Sequence, residues 1–417
     1  MIRCWIAAAV FAVVLAMPNR AEAQATANDE VLREVTALAE RMERLEAENA
    51  ALKERNDRLE RRVAELESPQ VATANAPTIA PPQPVPEPAP APAPSVEPWQ
   101  ERFKVSGYVF GDAYAVLAHH EPEVEDQNGF WIRRGYLTFD ARVADEWTAR
   151  LRLEFNSPGD FETDSKLDPF VKDAYLAWKR GGQELNLGLA SSPTFEFVEG
   201  FWGHRPIEKT PIDLYRMGSS RDMGVAYKGA ADDGKVFYHA MLGNGSGDRA
   251  ETNEGKKVMA GLGFRPTDGL VAQVYADYED RPGETDRSTL QAFAGWTGSR
   301  SRYGLQYAVQ DREVEDAPDE DVAVASAFGV WQLTDQGALV LRYDRSFDGY
   351  SDADQIPYLR IAADTPFDLA ILAWEQKLKH RISLIPNIEY VTYRDNNGDA
   401  TTPDDDLYGR VTLYFEF

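Results

Sequence analysis

The sequence predicts an all-β fold: a sixteen-stranded transmembrane antiparallel β-barrel, preceded by an α-helical coiled coil and a Pro-rich spacer. Three observations predict the barrel. From Phe103 onward, apolar and polar residues alternate with period two. The connections between these segments are short and long in strict turn, and the long ones carry most of the net charge. After residue 100, no segment has the helical period needed to cover an apolar sheet face.

The composition excludes several classes of protein. The chain has 417 residues, and its 69 Asp and Glu outnumber 44 Lys and Arg, so the net charge is −25. No nucleic-acid partner is expected, because phosphate contacts need a basic face. Beyond the N-terminus no run approaches the roughly 20 apolar residues of a membrane-spanning helix. A polytopic helical membrane protein is therefore excluded, whereas a β-barrel with apolar residues at alternate positions is not.

Residues 1–23 have the pattern of a secretory signal peptide. Arg3 precedes the apolar run Trp5–Met17, and Ala21-Glu22-Ala23 provides small residues for cleavage. Cleavage would remove Cys4, the single cysteine of the chain. Disulfides and cysteine-based metal or redox chemistry are therefore not expected in the mature protein.

Residues 28–67 are predicted to form a coiled coil. Apolar residues follow a 4-3 spacing over about five heptads, flanked by charges of both signs. One helix cannot bury so narrow a seam, so copies of the chain should associate through it. Asn49 and Asn56 would fix the register without deciding between two and three strands. The residues expected to carry oligomerisation are Leu38, Leu45, Asn49, Leu52, Asn56 and Leu59.

Residues 68–98 form a predicted linker rich in Pro and Ala. Proline holds φ and lacks an amide donor, so this segment should be an extended, semi-rigid polyproline spacer. The barrel domain is then expected to occupy residues 99–417.

Sixteen strands are predicted within the barrel domain. Trp147–Phe155 illustrates the pattern, since Leu151 and Leu153 alternate with Arg150 and Arg152. The predicted strands are 103–117, 130–143, 147–156, 171–179, 183–190, 223–230, 235–242, 256–265, 269–279, 288–298, 302–311, 322–333, 338–346, 366–377, 382–394 and 406–417.

The connections indicate what covers the apolar strand faces. Tight turns such as Gly181-Gly182 and Pro266-Thr267-Asp268 alternate with eight long loops, whose charges sum to roughly −23. A soluble sandwich has no reason to sort loop length and charge in this way, whereas an outer-membrane barrel has short turns on one side, long loops on the other and an even strand number. We therefore expect lipid and lipopolysaccharide around the barrel, in the cell outer membrane. The terminal Phe417 resembles the signature that barrel-assembly machinery recognises.

Four short motifs in order resemble the phosphate-selective porin O and P family, in particular its DcaP-like branch with an N-terminal coiled coil. They are Ile132–Leu137, Lys172–Leu176, Ser219–Val225 and Gly243–Gly247, and the resemblance spans roughly 103–417. It implies a homotrimer of sixteen-stranded porins, each narrowed by the loop between the fifth and sixth strands. The strongly acidic total departs from the basic lumen that phosphate-type channels of this family are expected to have.

Arginines and one lysine are the candidate pore residues. The constriction loop carries Arg205, Lys209, Arg216 and Arg221. Strand alternation places further arginines toward the barrel interior, namely Arg134, Arg142, Arg150, Arg152, Arg342 and Arg410. Such a row would attract anions and hold carboxylate or phosphate groups by paired hydrogen bonds. Alternatively, these arginines pair with wall carboxylates such as Glu154 and Asp140 and only stiffen the barrel.

Other constellations are weaker. Residues 395–399 resemble the start of a calcium loop but lack its closing glutamate, so an acidic turn is favoured. His119 and His120 are adjacent, and neighbouring strand residues point to opposite faces, so no metal site is expected. No cofactor is expected either. Tyr108, Trp131, Trp178, Trp296, Trp331 and Trp374 are interpreted as an aromatic girdle at the membrane interface.

Two hypotheses follow from the sequence. The first is a passive outer-membrane channel for small, anionic solutes such as phosphate, sulfate or dicarboxylates. The second is an envelope tether, in which the coiled coil and spacer reach the cell wall and the barrel is the anchor. An enzyme is not expected, because no nucleophile motif is present.

Overall fold

A computed structural model describes residues 102–394 and 402–417 of the chain. The predicted signal peptide (1–23), coiled coil (28–67) and linker (68–98) lie outside the described residues, as does the calcium-like stretch 395–399. The oligomerisation residues lie outside them too, namely Leu38, Leu45, Asn49, Leu52, Asn56 and Leu59. These expectations therefore stay predictions.

Within the described residues, sixteen antiparallel strands form a closed barrel in which each strand pairs with the next and β16 pairs with β1. The strands are β1 Phe103–Ala118, β2 Asn128–Ala144, β3 Trp147–Phe155, β4 Phe170–Arg180, β5 Gln183–Ser191, β6 Arg221–Ala231, β7 Val236–Gly243, β8 Lys257–Thr267, β9 Leu270–Glu279, β10 Arg287–Thr297, β11 Ser301–Arg312, β12 Glu320–Gln332, β13 Gly337–Ser346, β14 Phe367–Lys379, β15 Ile382–Tyr393 and β16 Asp406–Glu416. The predicted fold class is confirmed, and every strand begins and ends within two residues of its predicted bounds.

The two faces of the barrel wall differ in polarity, as the period-two pattern predicts. On β9, β10 and β11 the outward side chains Val274, Leu290 and Leu305 are more than half exposed. Their inward neighbours Gln273 and Gln291 are buried. The outer wall is therefore apolar, and the polar residues of the sequence pattern line the interior.

The connections alternate in length as predicted. Short turns follow the even-numbered strands, and long loops follow the odd-numbered ones. One detail differs, since β8 continues through Pro266 and Thr267, which were expected in a turn. Among the described residues, no helix is long and apolar enough to cross a membrane.

Two long loops fold into the barrel interior. The constriction loop (residues 192–220) contains α1 Pro193–Trp202 and the short α2 Pro211–Leu214. The seventh loop (residues 347–366) contains a 3-10 helix, Ala353–Gln355. Both contribute fully buried apolar side chains, including Trp202 and Tyr215 from the first, and Tyr350 and Ile361 from the second. The inward path of the seventh loop was not predicted, because its apolar residues follow no regular period.

Three glycines lie side by side where the wall meets the constriction loop: Gly188 on β5, Gly224 on β6 and Gly243 on β7. A Cβ on Gly224 would lie 2.0 Å from the carbonyl oxygen of Leu242. That oxygen belongs to the ladder of the next strand and cannot move aside without breaking hydrogen bonds. Close strand packing therefore requires glycine at position 224.

We predict that Gly224→Ala destabilises the barrel by about 1–3 kcal/mol, the usual cost of overpacking. The temperature at which the compact electrophoretic band converts to the unfolded band measures the effect. Gly200→Ala is the control, because a Cβ on Gly200 in α1 meets nothing within 4 Å. An unchanged temperature for Gly224→Ala would show that the β6–β7 contact tolerates a side chain.

Candidate functional site

The constriction loop begins with a helix that lies against the inner wall. Pro193 occupies the first turn of α1, where its missing N–H costs nothing, and Gly203 ends the helix with φ 66°. Phe197, Val198 and Phe201 pack with inward aromatic side chains of the wall such as Phe293. Apolar packing thus fixes the first half of the loop.

Polar contacts fix the segment that follows Gly203. Trp202 Nε1 donates to the Glu208 carbonyl at 2.8 Å, and Arg302 Nη2 donates to the Trp202 carbonyl at 2.7 Å. Arg342 of β13, which is separated from β11 only by β12, donates to the Lys209 carbonyl. The two arginines therefore hold this segment of the loop against the same part of the wall.

Arg133 and Glu208 form a buried ionic anchor of the loop. Arg133 donates to the Ile207 carbonyl at 2.7 Å and to the Glu208 carboxylate at 2.6 Å. Arg410 Nη1 lies 3.7 Å from the same carboxylate. Burial alone would raise the pKa of Glu208, but the charges of Arg133 and Arg410 lower it to about 2. Glu208 is therefore ionised at any physiological pH.

Arg133 was missed by sequence analysis because β2 is irregular. Its pairing with β1 shifts between Phe110, opposite Arg134, and Gly111, opposite Ile132. The extra residue is Arg133, and such a bulge lets two successive side chains point the same way. Both Arg133 and Arg134 are consequently buried and lie near the Tyr358 ring of the seventh loop. The two adjacent arginines within one strand are the sequence signal that could have revealed this bulge.

The four predicted constriction residues do not all lie together. Arg205 Nε lies 3.2 Å from Glu199, and Lys209 Nζ lies 3.4 Å from Asp213, both within the loop. Burial would raise the pKa of Asp213, but Lys209 and Arg205 lower it to about 2.

The other two predicted constriction residues lie elsewhere. Arg216 instead contacts the seventh loop, with Nε 3.0 Å from Asp352. Arg221 opens β6 and donates to Asp173 of β4.

The predicted inward arginines are mostly ion-paired. The Arg134–Glu154 and Arg150–Asp140 pairs are each 2.7 Å long, which matches the pairing considered as an alternative above. Further pairs are Arg152–Asp173 at 3.4 Å, Arg342–Asp344 at 2.5 Å and Arg410–Glu389 at 2.6 Å. Arg142 is exposed near the short turn between β2 and β3.

One part of the wall carries more cations than carboxylates. We call Arg134, Arg152, Lys172 and Arg221 the basic strip. Arg152 and Arg221 share Asp173, while Arg134 and Lys172 share Glu154. Lys172 also lies 3.4 Å from Asp248. The cations are 10–17% exposed, whereas Asp173 and Glu154 are only 3% exposed. The strip therefore presents positive charge to the interior.

A cavity of about 480 Å³ lies between the constriction loop and the short-turn side of the barrel. Arg150, Arg152 and Arg221 line one part, and Glu196 and Glu199 of α1 another. Tyrosines also line it: Tyr108, Tyr175 and Tyr414. The cavity can therefore offer both charge and hydrogen bonds to a small polar molecule.

Two predicted girdle residues lie inside the barrel instead. Tyr108 lines the cavity, and Trp131 stacks on Tyr114 at 3.7 Å and donates to Asp112. Trp131 was misplaced because it lies beyond the β2 bulge, where the alternation is offset. Trp296 is on the outer face, 43% exposed, as predicted.

We predict that the constriction loop keeps its position from neutral pH down to about pH 4 and loosens near pH 2. The Glu208 and Asp213 pKa values lie below their ordinary values of 4.5 and 3.8. Their ion pairs thus stabilise the fold above those ordinary values and lose this effect as pH falls through about 2. Current noise of single channels against pH measures it. Glu208→Gln should show the low-pH behaviour at pH 7, and a quiet Glu208→Gln channel would contradict this anchor.

Comparison with known proteins identifies the fold. No family model and no curated protein matches the sequence. Among solved structures, an anion-selective porin from Comamonas acidovorans is similar, with a TM-score of 0.58 and 14% identity over 76% of this chain and 99% of that one. OprB of Pseudomonas putida has a TM-score of 0.57 and 9% identity over 76% and 95%. The trimer form of OmpT from Vibrio cholerae has a TM-score of 0.52 and 14% identity over 76% and 99%. This chain therefore has the fold of the outer-membrane porins.

Proposed function

We propose that this chain is a passive diffusion channel of the outer membrane for small solutes, with a preference for anions such as phosphate, sulfate or dicarboxylates. The closed barrel with an apolar outer wall fits a lipid surround, since closure leaves no unpaired strand edge in hydrocarbon. The basic strip is the observation that carries the anion preference.

The basic strip would act on a solute at short range. Asp173 and Glu154 lie behind the cations and hold them in place, so the guanidinium and ammonium groups need little reorganisation to meet an anion. Arginine presents its N–H groups as a planar fork that fits carboxylate and phosphate oxygens. Because the charges are partly compensated, an anion should bind weakly enough to leave, as conduction requires.

The acidic long loops repel anions, but the constriction should still determine the ion selectivity of the channel. Outside the two inward loops, the loop charges face open solvent, as in the exposed residues 313–319, and salt screens them over about 8 Å at physiological ionic strength. In the narrow interior the surrounding wall has a low dielectric constant and focuses the field of the strip. Selectivity is therefore assigned to the strip rather than to the entrance.

The assembly is proposed to be a homotrimer of the O and P porin type with its DcaP-like coil. One structural neighbour is described as a trimer, and the predicted coil in residues 28–67 requires partner helices. The four motifs named above support this branch.

Neutralising the strip should reduce anion preference. We predict that Arg152→Gln combined with Lys172→Gln and Arg221→Gln lowers the chloride-to-potassium permeability ratio at least about twofold, because charged clefts enrich counter-ions by factors of roughly ten or more. Reversal potentials in a salt gradient across a planar bilayer measure the ratio.

The matched control is Arg300→Gln, whose side chain is 56% exposed and paired with Asp335 of another short turn. It should leave the ratio unchanged. If the triple variant keeps its reversal potential, the strip does not select ions. If the protein gives no channel steps at all, the channel proposal itself is wrong.

The role of the N-terminal segment is tested by deletion of residues 24–98. We expect trimers to be lost, because the predicted coil would be their main contact outside the barrel. Cross-linking and native electrophoresis measure the oligomer. If the shortened protein still forms trimers of normal conductance but the outer membrane separates from the cell wall, the tether hypothesis is favoured instead.

A further inference from the structure

Three side chains able to bind a metal ion meet at the rim of the barrel that carries the long loops. They are His119 and His120, just after β1, and Asp406, the first residue of β16. One ligand atom from each lies within 4.8 Å of the other two. His119 is 5% exposed and Asp406 is fully buried. The cluster shares no residue with the basic strip.

The end of β1 explains why two adjacent histidines can act together. The pairing of β1 with β16 shifts between Val116 and Ala118, and β1 ends at Ala118. Strand alternation therefore no longer separates the next two side chains. The rings of His119 and His120 stack with centroids 4.3 Å apart and an interplanar angle of 25°. The expectation that they point to opposite faces is wrong.

One ring nitrogen of the cluster lacks a well-formed hydrogen bond in the part of the chain that the structure describes. His119 Nδ1 accepts the Glu121 N–H at 2.9 Å. His119 Nε2 is buried and forms no hydrogen bond of standard geometry within residues 102–394 and 402–417, although the backbone of Arg360 lies near the ring. Buried polar atoms are normally paired, so an unpaired one requires an explanation. A bound ion would provide it.

The carboxylate is already oriented toward the imidazoles. Asp406 accepts the His120 N–H at 2.7 Å, lies 2.9 Å from His120 Nδ1, and is held by the Tyr393 hydroxyl. His120 Nε2 lies 3.9 Å from Glu121, so that ring nitrogen could keep its proton while Nδ1 binds. The nearby guanidinium of Arg360 is compensated by Glu121 and Glu162. Net negative charge thus remains at Asp406.

We propose that His119, His120 and Asp406 bind a divalent transition-metal ion of the Zn²⁺, Co²⁺, Ni²⁺ or Cu²⁺ class. Two imidazoles and one carboxylate suit these ions, whereas Ca²⁺ prefers oxygen ligands alone. When His119 coordinates through Nε2, the proton of the neutral ring moves to Nδ1. The hydrogen bond from the Glu121 N–H to Nδ1 is then lost, so the ion must bind imidazole strongly enough to offset that loss. The ion would join the first loop to β16 and clamp the seam between the first and last strands. This site does not depend on which solute the barrel transports.

The test uses the whole mature chain in detergent, without a histidine tag and after chelator treatment, titrated with Co²⁺. We expect one ion per chain with a visible ligand-field band. His119→Asn and His120→Asn should each weaken binding at least about tenfold, since even loss of a supporting group around a metal costs that much. The matched control is His380→Asn, because His380 is exposed in the turn between β14 and β15. It should bind normally.

Absent binding, or binding that these variants leave unchanged, would overturn the site. If the variants fail to fold, a protection experiment on the unaltered protein tests the proposal. Zn²⁺ should then protect His119 and His120, but not His380, from carbethoxylation by diethyl pyrocarbonate, as read by mass spectrometry of peptides. Equal modification of all three with and without Zn²⁺ would also overturn the proposal.

Discussion

The pairing of β1 with β16 is the constraint on which the other features of this molecule depend. It gives every strand a hydrogen-bonded neighbour on both sides, so the sheet has no open edge. Closure also fixes the volume of the interior. Whatever the two inward loops place there must fit that volume and satisfy its own polar groups.

Charge pairing follows from this enclosure. In a narrow interior a charge that loses water must gain a partner, and Arg342–Asp344 and Arg410–Glu389 are pairs of this kind with almost no exposed surface. The basic strip differs because each of its buried carboxylates serves two cations. The excess charge is therefore on the water side, where a solute would pass, while the structural pairs lie behind it.

Much of the fold could be predicted from the sequence, and the rest depended on long-range contacts. Period-two alternation gave the strands because each position meets either the apolar outside or the polar interior. It failed at Arg133 and Trp131, where a bulge offsets the alternation, and at His119 and His120, where the strand has ended. The burial of Tyr350 and Ile361 was not predictable, because only the three-dimensional path of the seventh loop brings them to the constriction loop. Pairing of the inward arginines with carboxylates such as Asp140 was an alternative that the sequence left open, and Arg150 forms that pair, whereas the sharing of Asp173 required the structure.

The two inward loops are joined to each other as well as to the wall. Arg216 of the constriction loop contacts Asp352 of the seventh loop, and Arg312 of β11 contacts the same carboxylate. For protein engineering this means that the two loops form one exchangeable module. Grafting the constriction loop alone onto a different barrel would leave Arg216 without its counter-charge, so a sensor built on this scaffold should transplant both loops together with the β11 arginine.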